Sequence, residues 1–429
     1  MAVVLAYTSP AIGHLFPFCA LLGELAARGH QVHVRTLDSG VNLCRRLGFA
    51  AECVDPRIEC LQSDDWTTGS ALSVVGKTVE VLVQRAALEV ADINAAISSV
   101  TPDMVLVDAN CWGAISAAEA QETPWLIFSP FIPYLDGPGS PPFGPGYAHR
   151  TGWVGQIRDA GVKTVTRAIF DRPFRHGLNP VRADLRLAPV RSADALLRRA
   201  PGVLVATGKP LEYPHTKWGE SVHMIGPAIF EPPSQEPPGW LDEIELPVVL
   251  VTTSSVRQAD VVLVRTALHA LADEPVHIVA TLPAGALDID QHAHRHATVT
   301  GFVPHSAVLD RAVCVVTHGG MGITQKALAR GIPVCVVPFG RDQFEVARRV
   351  EIARCGTRLA ARRLTVGRLR DKILSAMTMT VGADAVASGF AAIGGMSHGA
   401  KIVERHLRLP GATPRRRGDW STGRDAPPG

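Results

Sequence analysis

The sequence predicts an α/β protein made of two doubly wound, parallel-sheet domains that face a central cleft. Short apolar runs alternate with helical patterns through both halves of the chain. One proline-rich stretch, Gly226 to Pro247, interrupts that alternation and reads as a linker. Runs such as MVLV and VVLV are what strands need when helices cover both faces of a sheet. Ligands of such folds sit at the carboxyl ends of the strands.

In the first half, strands are expected at Val3 to Tyr7, Val32 to Leu37, Phe49 to Val54, Met104 to Val107 and Trp125 to Phe128. Helices are expected between them at Leu15 to Arg28, Val41 to Leu47, Ser73 to Ile97 and after Cys111. The segment Ser129 to Gly146 is too rich in proline and glycine for a regular element, yet it carries Phe131, Ile132, Tyr134, Leu135 and Phe143. It reads as an apolar binding loop, with a packed surface loop as the plain alternative. Helical patterns at Thr164 to Phe174 and Ala193 to Arg199, then a run at Val203 to Ala206, close this half.

After the linker the alternation restarts with strands at Val248 to Thr252, Val276 to Ala280, Thr298 to Thr300, Cys314 to Thr317 and Val334 to Val337. Helices are expected at Asp260 to Leu271, Gly322 to Ala329, Gln343 to Arg354, Val366 to Met377 and Ala387 to His406. The expected division is a first domain over 1–225, a linker over 226–247 and a second domain over 248–409, whose last helix has room to pack back on the first. Residues 410–429 are expected to be a disordered tail.

A chain of 429 residues with 46% apolar content has ample material for two cores. Its net charge is only +3, and Arg415, Arg416, Arg417 and Arg424 against Asp419 and Asp425 supply two of those charges. That balance argues against a nucleic-acid partner. Eight scattered cysteines without a C-x-x-C pair fit reduced, mostly buried thiols. The N-terminus has no basic n-region, and Pro10, Gly13, His14 and Pro17 break its apolar stretch. Neither a signal peptide nor a spanning helix is expected, and the expected location is the cytoplasm.

Three strand ends carry candidate chemistry. His14 follows the first strand, where an imidazole can take a proton at neutral pH, and Asp108 at another strand end is the carboxylate able to orient it. Their plain alternatives are a polar cap and an N-cap aspartate. Hydroxyls at Thr252 to Ser255 can bond a phosphate oxygen or serve as an N-cap cluster. The segment Thr317 to Gln343 has a histidine, His318, and three glycines that lead straight into a helical pattern. Helix N-termini present unpaired N–H groups, and glycines let an anion approach them closely, so a phosphate is the expected guest. The string QHAHRH, with His292, His294 and His296 alternating near Asp288 and Asp290, could suit zinc or nickel on a strand, but no fourth-ligand pattern accompanies it. No metal site is expected.

These residues resemble the family 1 nucleotide-sugar glycosyltransferases of GT-B fold, two Rossmann-like domains around a cleft, and most of all the bacterial macrolide and antibiotic type. The resemblance runs from G-H-x-x-P at Gly13 to Pro17, through D-A-N-C-W-G at Asp108 to Gly113, to H-G-G-x-G…D-Q at His318 to Gln343. It implies an acceptor-binding first domain and a nucleotide-sugar-binding second domain. It also implies an inverting, metal-independent hexosyl transfer with His14 as base and Asp108 as its partner. Diphosphate contacts are implied for Ser255, His318 and the backbone N–H groups of Gly320, Met321, Gly322, Ile323 and Thr324. The base is expected near Phe302 and Val303, with His305 beside it, and the sugar at Asp342 and Gln343.

Two departures stand out. Lys326 replaces the glutamate that bonds the ribose in most relatives, and reads either as a phosphate contact or, more simply, as a solvated helix lysine. Thr253 and Ser254 stand where glycine is common. The expected donor is a UDP- or dTDP-sugar, a co-substrate, with no cofactor. Trp112 and the apolar loop suggest a hydrophobic acceptor such as a polyketide, a macrolide or a lipid alcohol. The rival readings are an epimerase or hydrolase of nucleotide sugars and a non-catalytic helper of the same fold. An NAD-dependent dehydrogenase is weaker, because no G-x-G-x-x-G follows the first strand.

Overall fold

A computed structural model describes residues 1–61, 71–148, 152–233, 238–254, 260–282 and 295–408. Seven parallel strands form the first sheet: β1 (Val3–Tyr7), β2 (Gln31–Thr36), β3 (Ala50–Cys53), β4 (Met104–Asp108), β5 (Trp125–Ser129), β6 (Val203–Val205) and β7 (Val222–Met224). Their order is β3-β2-β1-β4-β5-β6-β7. Six more form the second sheet: β8 (Val248–Thr252), β9 (His277–Thr281), β10 (Ala297–Thr300), β11 (Ala312–Thr317), β12 (Val334–Val336) and β13 (Gly356–Arg358). Their order is β10-β9-β8-β11-β12-β13, again all parallel. Every residue of β4, β5 and β8 is buried, as continuous apolar strands covered on both faces must be.

Strand order reverses between β1 and β4 in the first sheet and between β8 and β11 in the second. Those reversals open the crevices into which doubly wound sheets accept ligands. Tyr7 pairs with Val107, so the loops after β1 and β4 emerge side by side, and Thr252 pairs with Thr317 in the same way.

Each sheet has apolar clusters on its two faces. One cluster in the first half includes Leu21, Leu22 and Phe128, and Ala400, Ile402 and Val403 of the last helix, Gly395–Arg408, complete it. Arg28 secures that return through Glu404 at 3.0 Å and the Ser397 hydroxyl at 2.8 Å. Among the described residues no single helix is long and apolar enough to cross a membrane. The described cysteines are free thiols, with only Cys53 and Cys60 exposed.

Several elements differ from expectation. The pattern at Thr164 to Phe174 belongs to one helix, Trp153–Asp184, that continues through Pro173 and Pro180. The pattern at Ala387 to His406 is two helices, Thr380–Ile393 and Gly395–Arg408, split at Gly394, whose φ of 94° is left-handed. Strands β7 (VHM) and β13 (GTR) were not expected, because neither forms the apolar run that marks the equally short β6 and β12. The tail, Ser255 and most of QHAHRH, including His292, His294, Asp288 and Asp290, lie outside the described residues. Among the described residues no group of three or more His, Cys, Asp or Glu side chains could hold a metal.

Candidate active site

The helix Ile12–Ala27 follows β1 after four intervening residues and carries His14 in its first turn. Pro17 lies inside this helix and has no N–H, so the carbonyl of Gly13 four residues back receives no helical bond from it. Nδ1 of His14 lies 2.8 Å from Oδ2 of Asp108, which ends β4. Asp108 is fully buried, and its Oδ1 accepts the N–H of Asn110 at 2.8 Å. The next helix begins at Trp112 with Cys111 as its N-cap, so Asp108 does not cap it. A carboxylate partner makes Nδ1 the donor and leaves Nε2 with a lone pair. Burial by itself lowers the proton affinity of His14, but the charge and hydrogen bond of Asp108 outweigh it and hold the pKa above the ordinary 6.5.

Across the crevice, β11 delivers His318 and the helix Met321–Leu328 follows at once. Gly320 is its N-cap, with no side chain bonding the helix end. Several backbone N–H groups therefore face the crevice with the positive end of the helix dipole. A Cβ on Gly320 would lie 2.7 Å from Nε2 of His318, so the missing side chain is what lets the imidazole sit over the helix start. Burial pushes the His318 pKa down to about 4, which keeps a neutral imidazole at this end. Its Nδ1 lies 4.0 Å from Oδ2 of Asp260, and burial pushes that carboxyl up to about 6. Asp260 accepts the N–H of Ser254 at 2.6 Å and so shapes the loop after β8.

A single cavity of about 610 Å³ joins the two ends. His14, Thr252, Phe302, Val303, His305, His318, Gly320, Met321, Gly322, Ile323, Asp342 and Gln343 all line it. Thr324 does not: its hydroxyl and N–H both go to the carbonyl of Gly320, at 2.8 and 3.2 Å, because it lies one turn inside the helix. That expected contact is corrected. Thr253 lines the cavity, but its hydroxyl donates to the Thr281 carbonyl at 3.2 Å, whereas the Thr252 hydroxyl has no hydrogen-bond partner.

Asp342 is the N-cap of the helix Gln343–Ile352, yet its side chain makes no cap bond. Burial raises its pKa, and His14 across the cavity partly offsets that rise. Gln343 is differently placed. Its Oε1 accepts the N–H groups of Phe339 and Gly340 at 2.9 and 3.1 Å, so the carboxamide oxygen holds the preceding turn. Phe302 is 51% exposed and Val303 buried, giving one wall an open aromatic face. His305 Nε2 lies 3.3 Å from the Thr281 hydroxyl, and burial, then Lys326, pushes its pKa to about 4.

Lys326 is not a solvated helix lysine. It lies four residues after Gly322, on the same helix face, and its Nζ is 3.1 Å from Oε1 of Glu231. Glu231 also accepts the N–H of Ser306 at 2.8 Å and the Ser306 hydroxyl. It comes from the proline-rich stretch, where nothing in the sequence marks a partner for a residue 95 positions away.

The end of the cavity beside His14 is aromatic. Pro130, Phe131, Tyr134 and Phe143 of the Ser129 to Gly146 segment line the cavity with Phe16, Phe170 and Phe230. Phe131 lies 5.5 Å from the His14 ring, and Tyr134 lies 5.6 Å from Phe131. Trp112 is corrected: it is fully buried, packs edge-on against Phe174 at 4.8 Å, and does not reach the cavity. Phe170, Phe230 and Glu231 were missed because the sequence around them carries only helical or proline-rich patterns, and Arg341 because, although next to the D-Q pair, it is not part of a motif.

Residues 265–394 match the family model described as erythromycin biosynthesis protein CIII-like, C-terminal domain. The chain is 28% identical over 387 residues to 4'-demethylrebeccamycin synthase of Lentzea aerocolonigenes, covering 87% of this chain and 91% of that one. It is 25% identical over 428 residues to demethyllactenocin mycarosyltransferase of Streptomyces fradiae, covering 94% and 86%. The crystal structure of the glycosyltransferase VinC in complex with dTDP superposes with a TM-score of 0.68 at 20% identity, covering 94% and 99%. With the two parallel sheets and the crevice between them, these likenesses make the chain a glycosyltransferase of GT-B fold with an EryCIII-like C-terminal domain.

Proposed function

We propose that this glycosyltransferase moves a sugar, with inversion, from a UDP- or dTDP-sugar to a hydroxyl of a hydrophobic small molecule of polyketide, macrolide or related natural-product type. One observation carries the proposal: His14, held by the buried Asp108, and an uncapped helix start under His318 line one cavity. His14 Nε2 takes the acceptor proton while Asp108 holds the ring and stabilises the imidazolium. The freed oxygen attacks the anomeric carbon from the face opposite the diphosphate, forming the new glycosidic bond as the bond to the diphosphate oxygen breaks. Negative charge then grows where the Met321, Gly322 and Ile323 N–H groups and the neutral His318 can meet it. Phe302 offers its open face to the base, and Asp342 offers a carboxylate to the sugar hydroxyls. No metal and no cofactor enter this scheme.

The relatives favour the same classes, since one is named a mycarosyltransferase and VinC was solved with dTDP. The free thiols fit a cytoplasmic setting, which belongs to the proposal. The test is product analysis with UDP- and dTDP-sugars and a panel of lipophilic alcohols and phenols. A glycosylated acceptor with inverted anomeric configuration is expected. Release of free sugar with no transfer to any panel member would sink the proposal in favour of a hydrolase.

A further inference from the structure

We infer that Glu345 is a positioning residue that seats the acceptor wall on the helix holding Asp342, so that a sugar at Asp342 fixes the place of Phe143. The inference rests on the donor-sugar reading of Asp342 given above. The segment Ser129 to Gly146 is anchored at two places, and to different halves of the molecule. Through its middle, the Asp136 N–H donates to Asp194 at 3.0 Å, the Pro138 carbonyl accepts from Lys217 N at 3.0 Å, and Ser140 bonds Thr216 at 3.0 Å. All three partners belong to the first half. Its far end crosses over. Oε1 of Glu345 accepts the N–H groups of both Gly144 and Gly146 at 2.9 Å, and the Gly146 carbonyl accepts from Arg348 at 2.8 Å and Arg358 at 3.1 Å.

The clamp is rigid for physical reasons. Glu345 is buried, and its Oε2 is held by Arg349 at 2.9 Å, which also pairs with the buried Glu212 of the first half at 2.7 Å. A buried carboxylate that accepts one buried and one part-buried N–H group and joins an ion pair cannot be moved without leaving those donors unpaired. Gly146 approaches so closely that a Cβ there would lie 2.2 Å from the Phe344 carbonyl oxygen, and its φ is 61°. Phe143, one residue before the clamp, meets Tyr134 edge-on at 4.8 Å, and Tyr134 leads through Phe131 to His14. Glu345 lies three residues, about one helical turn, after Asp342. The wall that faces an acceptor is thus fastened to the element that begins at the donor sugar. Any ligand that fixes that element fixes the wall, and the coupling is reciprocal.

The test is hydrogen exchange of the 129–147 peptide in the full chain, read with dTDP, dTDP-glucose, UDP and UDP-glucose, with binding followed by calorimetry. The sugar nucleotide that binds should slow exchange of this peptide by about tenfold or more beyond its sugar-free diphosphate. Glu345→Ala should lose that extra protection while its affinity for the sugar nucleotide changes by less than about threefold, and Glu345→Gln, which keeps an acceptor oxygen, should restore part of it. Should Glu345→Ala fail to fold, Gly146→Ala displaces the same clamp from the peptide side and should show the same loss. Equal protection by diphosphate and sugar nucleotide in the wild-type chain, or full protection in the variants, would overturn the inference while leaving donor binding intact. Absence of binding by either nucleotide pair would overturn the donor reading itself, and this inference with it.

Discussion

At the scale of single residues, the His14 imidazole is held between burial, which disfavours its charge, and Asp108, which favours it. Asp108 wins, so the base form that the proposed transfer needs is lost as pH falls through a value above the ordinary 6.5. We therefore expect the acid limb of kcat/KM above that value in the wild type. Asp108→Asn removes the charge but leaves burial, so its limb should move lower while the rate falls by about 10²-fold or more. A pH–rate profile checks both statements, and an unmoved limb would assign the titration elsewhere. Lys326 teaches a different lesson at this scale. Its identity was legible as a departure from the family pattern, but its Glu231 partner was not. An ion pair between a helix and a proline-rich stretch leaves no period in the sequence.

At the scale of single elements, the glycine-rich segment has the build of the proposed diphosphate end. The helix Met321–Leu328 starts without a side-chain cap, and His318 lies over Gly320 at a distance that admits no Cβ. Gly320 has φ −61°, so alanine there meets no backbone strain and acts only by pushing the imidazole aside. Gly320→Ala should weaken binding of the nucleoside diphosphate by about tenfold, the worth of one lost hydrogen bond to a charged group, with the thermal midpoint shifted little. Calorimetry against a melting curve separates the two effects. This cradle was legible because a strand, glycines and a helix follow one another within a few residues. The helix Trp153–Asp184 was not, because Pro173 and Pro180 read locally as stops while packing keeps the helix continuous. Thr324 and Trp112 failed for a related reason: a motif fixes position along the chain, and burial decides which way a side chain faces.

Across the whole molecule, two strand-order reversals bring the proposed base, His14, from one sheet and the proposed diphosphate cradle at His318 from the other to one cavity. The alternation of strands and helices made that arrangement legible, whereas the aromatic wall from Phe16, Phe170 and Phe230 comes from separate elements and was not. Stability should carry a trace of the same site. His318 has its pKa pushed to about 4 in the folded chain, while an unfolded histidine titrates near 6.5. Between those values the unfolded state binds the extra proton, so stability falls as pH drops through that window, by at most about 3 kcal/mol from this group. His305 acts in the same direction. Urea midpoints from pH 7 to 4 should show a smaller loss in His318→Gln than in the wild type, and an equal loss would contradict the assignment. The central claim is the division of labour between the two ends of the cavity. It is tested most directly by measuring nucleotide-sugar affinity and transfer rate together in His14→Ala and His318→Ala. Transfer abolished with donor affinity nearly unchanged in the first, and both weakened, with turnover down about a hundredfold, in the second, is the predicted result. Equal loss of donor binding in the two variants would contradict it.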